Sequence, residues 1–194
     1  YGAAANVHYE GGQVYLVMSR HLDRAQGTDP DRVADLAPVL MRAAVGDDLT
    51  LVENWTFAEA PSFVDLIDDK ALDDFGVPYY PAYQPETYTV AEGRLSWPSG
   101  WLDGNVTRIL DSTHYWHGAD EKTFHLLLRA QTGGAGYGAL LKVVEHADGS
   151  MATSLEEAPS GVTTTFLPLP GGQSGFCILY DEPTGLYWLL STQT

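Results

Sequence analysis

Arg20 and Arg129 each close an apolar run, VYLVMSR and TFHLLLR. The planar fork of an arginine side chain matches the geometry of a carboxylate. Asp111 and His114 stand together in the segment DSTHYWH, and a carboxyl group beside an imidazole can move a proton. His21 directly follows Arg20, and Trp116 and His117 follow His114. Trp97 and Trp101 flank Pro98 and Gly100 in SWPSGWLDGN, where a tryptophan next to polar residues offers an apolar platform for a sugar ring. Read together, these residues predict a site for an acidic or decorated glycan. Arg20 and Arg129 would grip a carboxylate, Asp111 or His114 would transfer the proton, and Trp97 or Trp101 would stack the ring. Asp23 is a second candidate carboxylate. A plainer reading stands beside each role. With 26 acidic residues against 10 Lys and Arg, each arginine has a surface partner available. A histidine that recurs between repeats fits a structural position, and a tryptophan can cover a sheet edge.

Bringing these residues together requires elements far apart in the chain. Turn formers and β-favouring aromatics are abundant, with 20 Gly, 11 Pro, 11 Tyr and 5 Trp, which suits short strands joined by tight turns. A helical reading fails, because runs such as 14–20 are short and the stretch QTGGAGYG carries too many glycines for a helix interior. A hairpin pattern also returns along the chain, as HYEGGQVYLVMSR from His8, HYWHGADEKTFHLLLR from His114 and LYDEPTGLYWLLST from Leu179. Tyr15, Phe124 and Tyr187 open the second strand of each copy in this alignment. Two further stretches match, PVLMRAAVGDDLTLVENW and ALLKVVEHADGSMATSLE, with Arg42 opposite Lys142 and an acidic turn in each.

Each unit therefore reads as four antiparallel strands, the content of one propeller blade. The expected fold is all-β, a β-propeller fragment of about three to four four-stranded blades. The whole of 1–194 forms one partial domain, with blade-like units near 1–58, 79–110, 111–168 and 173–194. A hairpin is expected between Glu86 and Trp97, turning at Gly93, and a short helix or an irregular loop between Ala60 and Tyr80. A jelly roll or other β-sandwich is the alternative. In a propeller, the end of the second strand and the start of the first meet at one mouth of the axial channel. That geometry groups Arg20, Arg129 and Asp111, if Asp111 opens a first strand. HYWH is then expected to alternate between the two faces of a strand. Since the chain begins at Tyr1 and the blades are too few to close a ring, a longer parent protein is expected.

The formal charge of −16 and a pI near 4.4 oppose a nucleic-acid partner or an anionic membrane surface. No apolar stretch approaches the roughly 18 residues of a membrane span. Cys177, the one cysteine, lies in the apolar run GFCILY and reads as a packed thiol. The glycines of GGAGYG lack a phosphate-loop lysine. There is no HExxH, CxxC or EF-hand loop, so no metal and no cofactor is expected.

The hairpins GGQVYLVMSR, EKTFHLLLRA and TGLYWLLSTQ resemble the second strands of sialidase-like and related glycoside-hydrolase propellers. The repeat box of that superfamily, S-x-D-x-G-x-T-W, is not intact; HADGSMAT keeps its acidic turn alone. The resemblance implies a carbohydrate-active enzyme, a glycoside hydrolase or a lyase, with Arg20 and Arg129 as members of the carboxylate-binding arginine cluster. It also implies a glycan substrate and an extracellular or periplasmic location. A non-catalytic propeller binding glycan or protein is the second reading.

Overall fold

The structure is a computed structural model that describes residues 5–22, 33–63, 65, 88–92, 94–96, 100–119, 122–131, 136–161, 163–164, 166–167, 169 and 175–191. Trp97, Asp23 and most of the stretch from Ala60 to Tyr80 lie outside the described residues.

The fold is all-β and antiparallel. The first sheet is a meander of β1 (Val7–Glu10), β2 (Gln13–His21), β3 (Leu36–Ala44) and β4 (Thr56–Glu59), in that spatial order. Gly11 and Gly12 join β1 to β2 with φ of 57° and 76°. Two consecutive left-handed residues make the turn whose twist matches a hairpin, and glycine adopts them without steric cost. A hairpin of β5 (Tyr88–Ala91) and β6 (Arg94–Ser96) follows, inside the stretch read as a hairpin from sequence.

The second sheet repeats the meander with β7 (Gly100–Thr107), β8 (Lys122–Gln131), β9 (Gly136–Glu145) and β10 (Met151–Ser154). After the short pair β11 (Glu156–Glu157) and β12 (Thr163–Thr164), β13 (Phe166–Leu167) adds to β9. The chain then forms a hairpin of β14 (Phe176–Asp181) and β15 (Leu186–Ser191).

Residues paired across an antiparallel ladder share a face. In the first sheet His8, Tyr15 and Arg42 form one such row, and Val7, Leu16 and Met41 lie in a row on the other face. The face carrying Tyr15, Val17, Leu40 and Ala58 packs on the face of the second sheet carrying Phe124, Leu126, Leu128 and Leu141. All eight are buried. Tyr15 and Phe124 meet with ring centroids 4.5 Å apart. The sheets touch closely at Gly104, where a Cβ would stand 2.5 Å from Val17 Cγ1, so no larger residue fits without displacing Val17.

Two sequence expectations are corrected here. Trp101 was expected on an open sugar platform, yet Gly100–Thr107 is an edge strand of the second sheet and buries it. HYWH was read as a strand, yet it turns: His114 N–H donates to Asp111 O at 3.0 Å and His117 N–H to His114 O at 2.9 Å. Asp111 Oδ1 accepts from Thr113 N–H and Oγ1–H at 2.8 and 2.7 Å. That side-chain turn outweighs the β propensity of the aromatics behind it.

Candidate functional site

The edge strands β1 and β7 and the hairpin strand β14 line a cleft of about 240 Å³. Asn6, just before β1, stands at its base. Its Oδ1 accepts from Val106 N–H at 2.8 Å, and its Nδ2 donates to Val106 O and Ile178 O at 2.9 and 2.8 Å. Asn105 acts one sheet further on: its Oδ1 accepts from Ile178 N–H at 3.0 Å and its Nδ2 donates to Phe176 O at 3.2 Å. Both asparagines are buried, and each satisfies main-chain groups of a strand in another sheet, β7 for Asn6 and β14 for Asn105.

Around this base the cleft is lined by His8, Tyr9, Arg108, Tyr180 and Glu182. Glu10 accepts from the Arg108 guanidinium and lies 3.2 Å from His8 Nε2, tying the first sheet to the second. Tyr187 Oη donates to Arg108 O and accepts from Leu110 N–H at 2.9 Å, tying the second sheet to the hairpin. Burial raises the Tyr187 hydroxyl above its ordinary value. Tyr9 is 66% exposed. Tyr9 alternates with His8 and Glu10 along β1, so its ring leaves the opposite face of the strand from theirs, and the cleft combines aromatic and polar lining residues.

Two polar clusters lie between elements near the same end. Tyr15 Oη donates to Glu145 Oε2 at 2.7 Å, and Arg42 Nη1 donates to Glu145 Oε1 and to Gly149 O, both at 3.0 Å. Lys122 also contacts the Tyr15 hydroxyl. Burial, reinforced by the Glu145 carboxylate, drives the Tyr15 hydroxyl far above its usual range. In the second cluster His125 Nε2 bonds Glu156 Oε2 at 2.7 Å and Lys142 Nζ lies 3.3 Å from Glu156 Oε1. Burial alone would raise the Glu156 carboxyl, but the bonds from His125 and Glu157 N–H and the charges of His125 and Lys142 hold it below its ordinary value. Among the described residues no three His, Cys, Asp or Glu side chains form a metal-holding group. Among them, too, no helix is long and apolar enough to cross a membrane.

The residues expected to form the site are not brought together. Arg20 shares the row-parity of Leu16, on the face of the first sheet turned away from the second, and pairs with Glu59 at 3.0 Å. Arg129 shares the parity of His125, on the face of the second sheet turned away from the first, and its Nε lies 2.8 Å from Asp103 Oδ2. Both packed sheets therefore separate the two arginines. Asp111 and His114 follow β7 and lie at the end of the second sheet where β8 begins; Arg129 lies four residues beyond His125, roughly 13 Å further along that strand. Asp111 is exposed, and the bonds from Thr113 hold its carboxyl below its usual value, favouring the charged form over an acid that donates a proton. His114 Nδ1 accepts from Trp116 N–H at 3.1 Å, and its ring stacks on Tyr115. His117 Nδ1 bonds Ile109 O at 2.8 Å. Trp116 lies over His125, with ring centroids 5.5 Å apart. His21 ends β2, opposite Leu36. Trp101 is 1% exposed, packed edge-on against Phe63 and stacked with Phe166, so it belongs to the core and offers no sugar platform.

Tyr9, Arg108 and Tyr180 line the cleft and were not among the residues singled out from the sequence. A signal existed, because His8–Tyr9 and Leu179–Tyr180 open the first and third copies of the hairpin. No family model matches the chain, and no curated protein or solved structure matches it either.

Proposed function

We propose that this chain is part of a non-catalytic β-propeller that binds a neutral oligosaccharide in its axial cleft. The blades in this reading are the two four-stranded meanders and the β14–β15 hairpin, with β1, β7 and β14 innermost. Support for the propeller comes from the order of packing. The second sheet buries Phe124 and Leu126 on one face and His125 and Leu140 on the other, whereas the sheets of a simple sandwich have one solvated face each.

The observation that carries the ligand reading is the cleft itself, a concave opening lined by aromatic and polar residues that include His8, Tyr9, Arg108 and Tyr180. An aromatic face takes the apolar side of a sugar ring while the polar row takes its hydroxyls. Arg108 is already neutralised by Glu10, which favours an uncharged sugar over a uronic acid. Glycoside hydrolysis usually needs two carboxyl groups about 5 to 9.5 Å apart across the scissile bond. Glu10 is engaged by Arg108 and His8, and Asp111 by its own turn, so binding is favoured over turnover. An extracellular or periplasmic location accords with such a ligand.

Calorimetric titration with neutral and uronic-acid oligosaccharides tests this. Binding of a neutral oligosaccharide should be lost in Tyr9→Ala with the fold intact. Turnover of a glycoside, or binding indifferent to Tyr9→Ala, would overturn it.

A further inference from the structure

In the first sheet two glycines suffice to join β1 to β2. The same connection in the second sheet, from β7 to β8, takes residues 108–121. The meander does not need that length, and long connections inside compact folds commonly carry function. The part from Arg108 to His117 is also pinned. Tyr187 Oη holds Arg108 O and Leu110 N–H, and His117 Nδ1 bonds Ile109 O at 2.8 Å. Asp111 closes its own turn on Thr113, and Trp116 packs over the buried His125.

The tip held in this way is aromatic. His114 and Tyr115 stack with ring centroids 4.8 Å apart and planes 16° from parallel, and Trp116 stands edge-on to Tyr115 at 5.3 Å. His114 Nδ1 accepts from Trp116 N–H, which places the proton of the neutral ring on Nε2, a donor. Tyr115 nevertheless keeps 55% of its surface in solvent. Its place is beside the cleft. Leu110 lines the cleft, and Tyr115 follows at most roughly 17 Å away even along a fully extended chain. The turns at Asp111 and His114 and the bond from His117 to Ile109 fold this stretch back and shorten that span. The cleft itself, at about 240 Å³, is smaller than the roughly 300–1,000 Å³ of sites that enclose a drug-sized ligand. It has room for one ring of an oligosaccharide, and the next ring must lie outside it.

We propose that Tyr115 is the platform of a second subsite, on which the next sugar unit of a neutral oligosaccharide stacks while His114 Nε2–H donates to one of its hydroxyls. The inference rests on the cleft reading given above and deepens it: the cleft takes one ring, and Tyr115 selects for chain length. The platform is ordered before any ligand arrives, so binding loses little further freedom there.

NMR titration of the full chain with length series of neutral glucans, mannans and xylans, from one to four sugar units, tests it. In the series that binds, affinity should rise about fivefold or more between one unit and three, and the Trp116 indole N–H signal should shift with the trisaccharide alone. Tyr115→Ala, at an exposed position, should abolish that gain and leave the monosaccharide affinity and the circular dichroism spectrum unchanged; Tyr115→Phe should keep the gain. Tyr9→Ala should lose the monosaccharide as well, which separates the cleft from the platform. Affinity independent of length, or a gain that survives Tyr115→Ala, overturns the second subsite and leaves the cleft standing. Binding in none of the series overturns both.

Discussion

Asn6 and Asn105 make matching contacts: each accepts the main-chain N–H of an aliphatic residue in another sheet, Val106 in β7 or Ile178 in β14. Burial of a strand edge without partners would be costly, since each unmet main-chain group carries its full desolvation penalty. One amide side chain, donor and acceptor together, meets that need. Asn105→Ala should lower stability by about 1–3 kcal/mol, measured by urea unfolding, and should loosen the β14–β15 hairpin selectively in hydrogen exchange. Asn105→Asp keeps the acceptor and should still protect the Ile178 amide better than Ala does.

Trp101 gives a second expectation. Because it is packed against Phe63 and Phe166, Trp101→Ala should cost about 3–5 kcal/mol in thermal or chemical unfolding. A solvent-facing sugar platform would show a change in binding with almost none in stability.

Arg20 and Arg129 pair with Glu59 and Asp103 in partly exposed settings. Such pairs contribute roughly 0–1 kcal/mol. Arg20→Ala and Arg129→Ala should each change stability within that range and leave oligosaccharide affinity unaltered in calorimetry.

Glu156 sets an acid limb. Its folded carboxyl lies below the ordinary value, so its stabilising contribution is present above the unfolded value, about 4.3, and is lost as pH falls through the folded one. Unfolding free energy measured against pH should therefore decline on that side, and Glu156→Gln should flatten the decline.

Tyr15 sets the opposite limb. Its folded hydroxyl is raised, so its contribution is complete below the unfolded value, about 10, and is lost as pH rises above it. Tyr15→Phe should remove this alkaline sensitivity, and the tyrosine absorbance titration should lose its most alkaline component.

Much of the strand content was legible. The Gly11–Gly12 turn, the apolar runs of β2, β3, β8 and β9 and the β14–β15 hairpin stand out, because alternation and turn chemistry are local. Arg42 and Lys142 are equivalent as the repeat suggests, each on the asparagine face of its own sheet. Register was not legible. Tyr15, Phe124 and Tyr187 look equivalent in sequence, yet the ladder places Tyr15 with His125 and Trp188, since His8, Thr107 and Leu179 are their partners. The turns before the second strands differ in length, two glycines in one case and residues 108–121 in another. A slip of one residue reverses the face. Phe124 therefore meets Tyr15 from the opposite sheet instead of repeating it.

The sequence by itself determined that the chain is all-β, with antiparallel hairpins recurring along it, because periodicity and turn residues act over a few positions. Only the tertiary structure decided which residues share a site. The parity of each strand sent Arg20 and Arg129 to opposite outer faces, the turn at Asp111 carried His114 away from them, and the approach of β1, β7 and β14 put Tyr9 and Arg108 around one cleft. Those outcomes depend on contacts between residues about a hundred or more positions apart in several cases, and no local pattern encodes them.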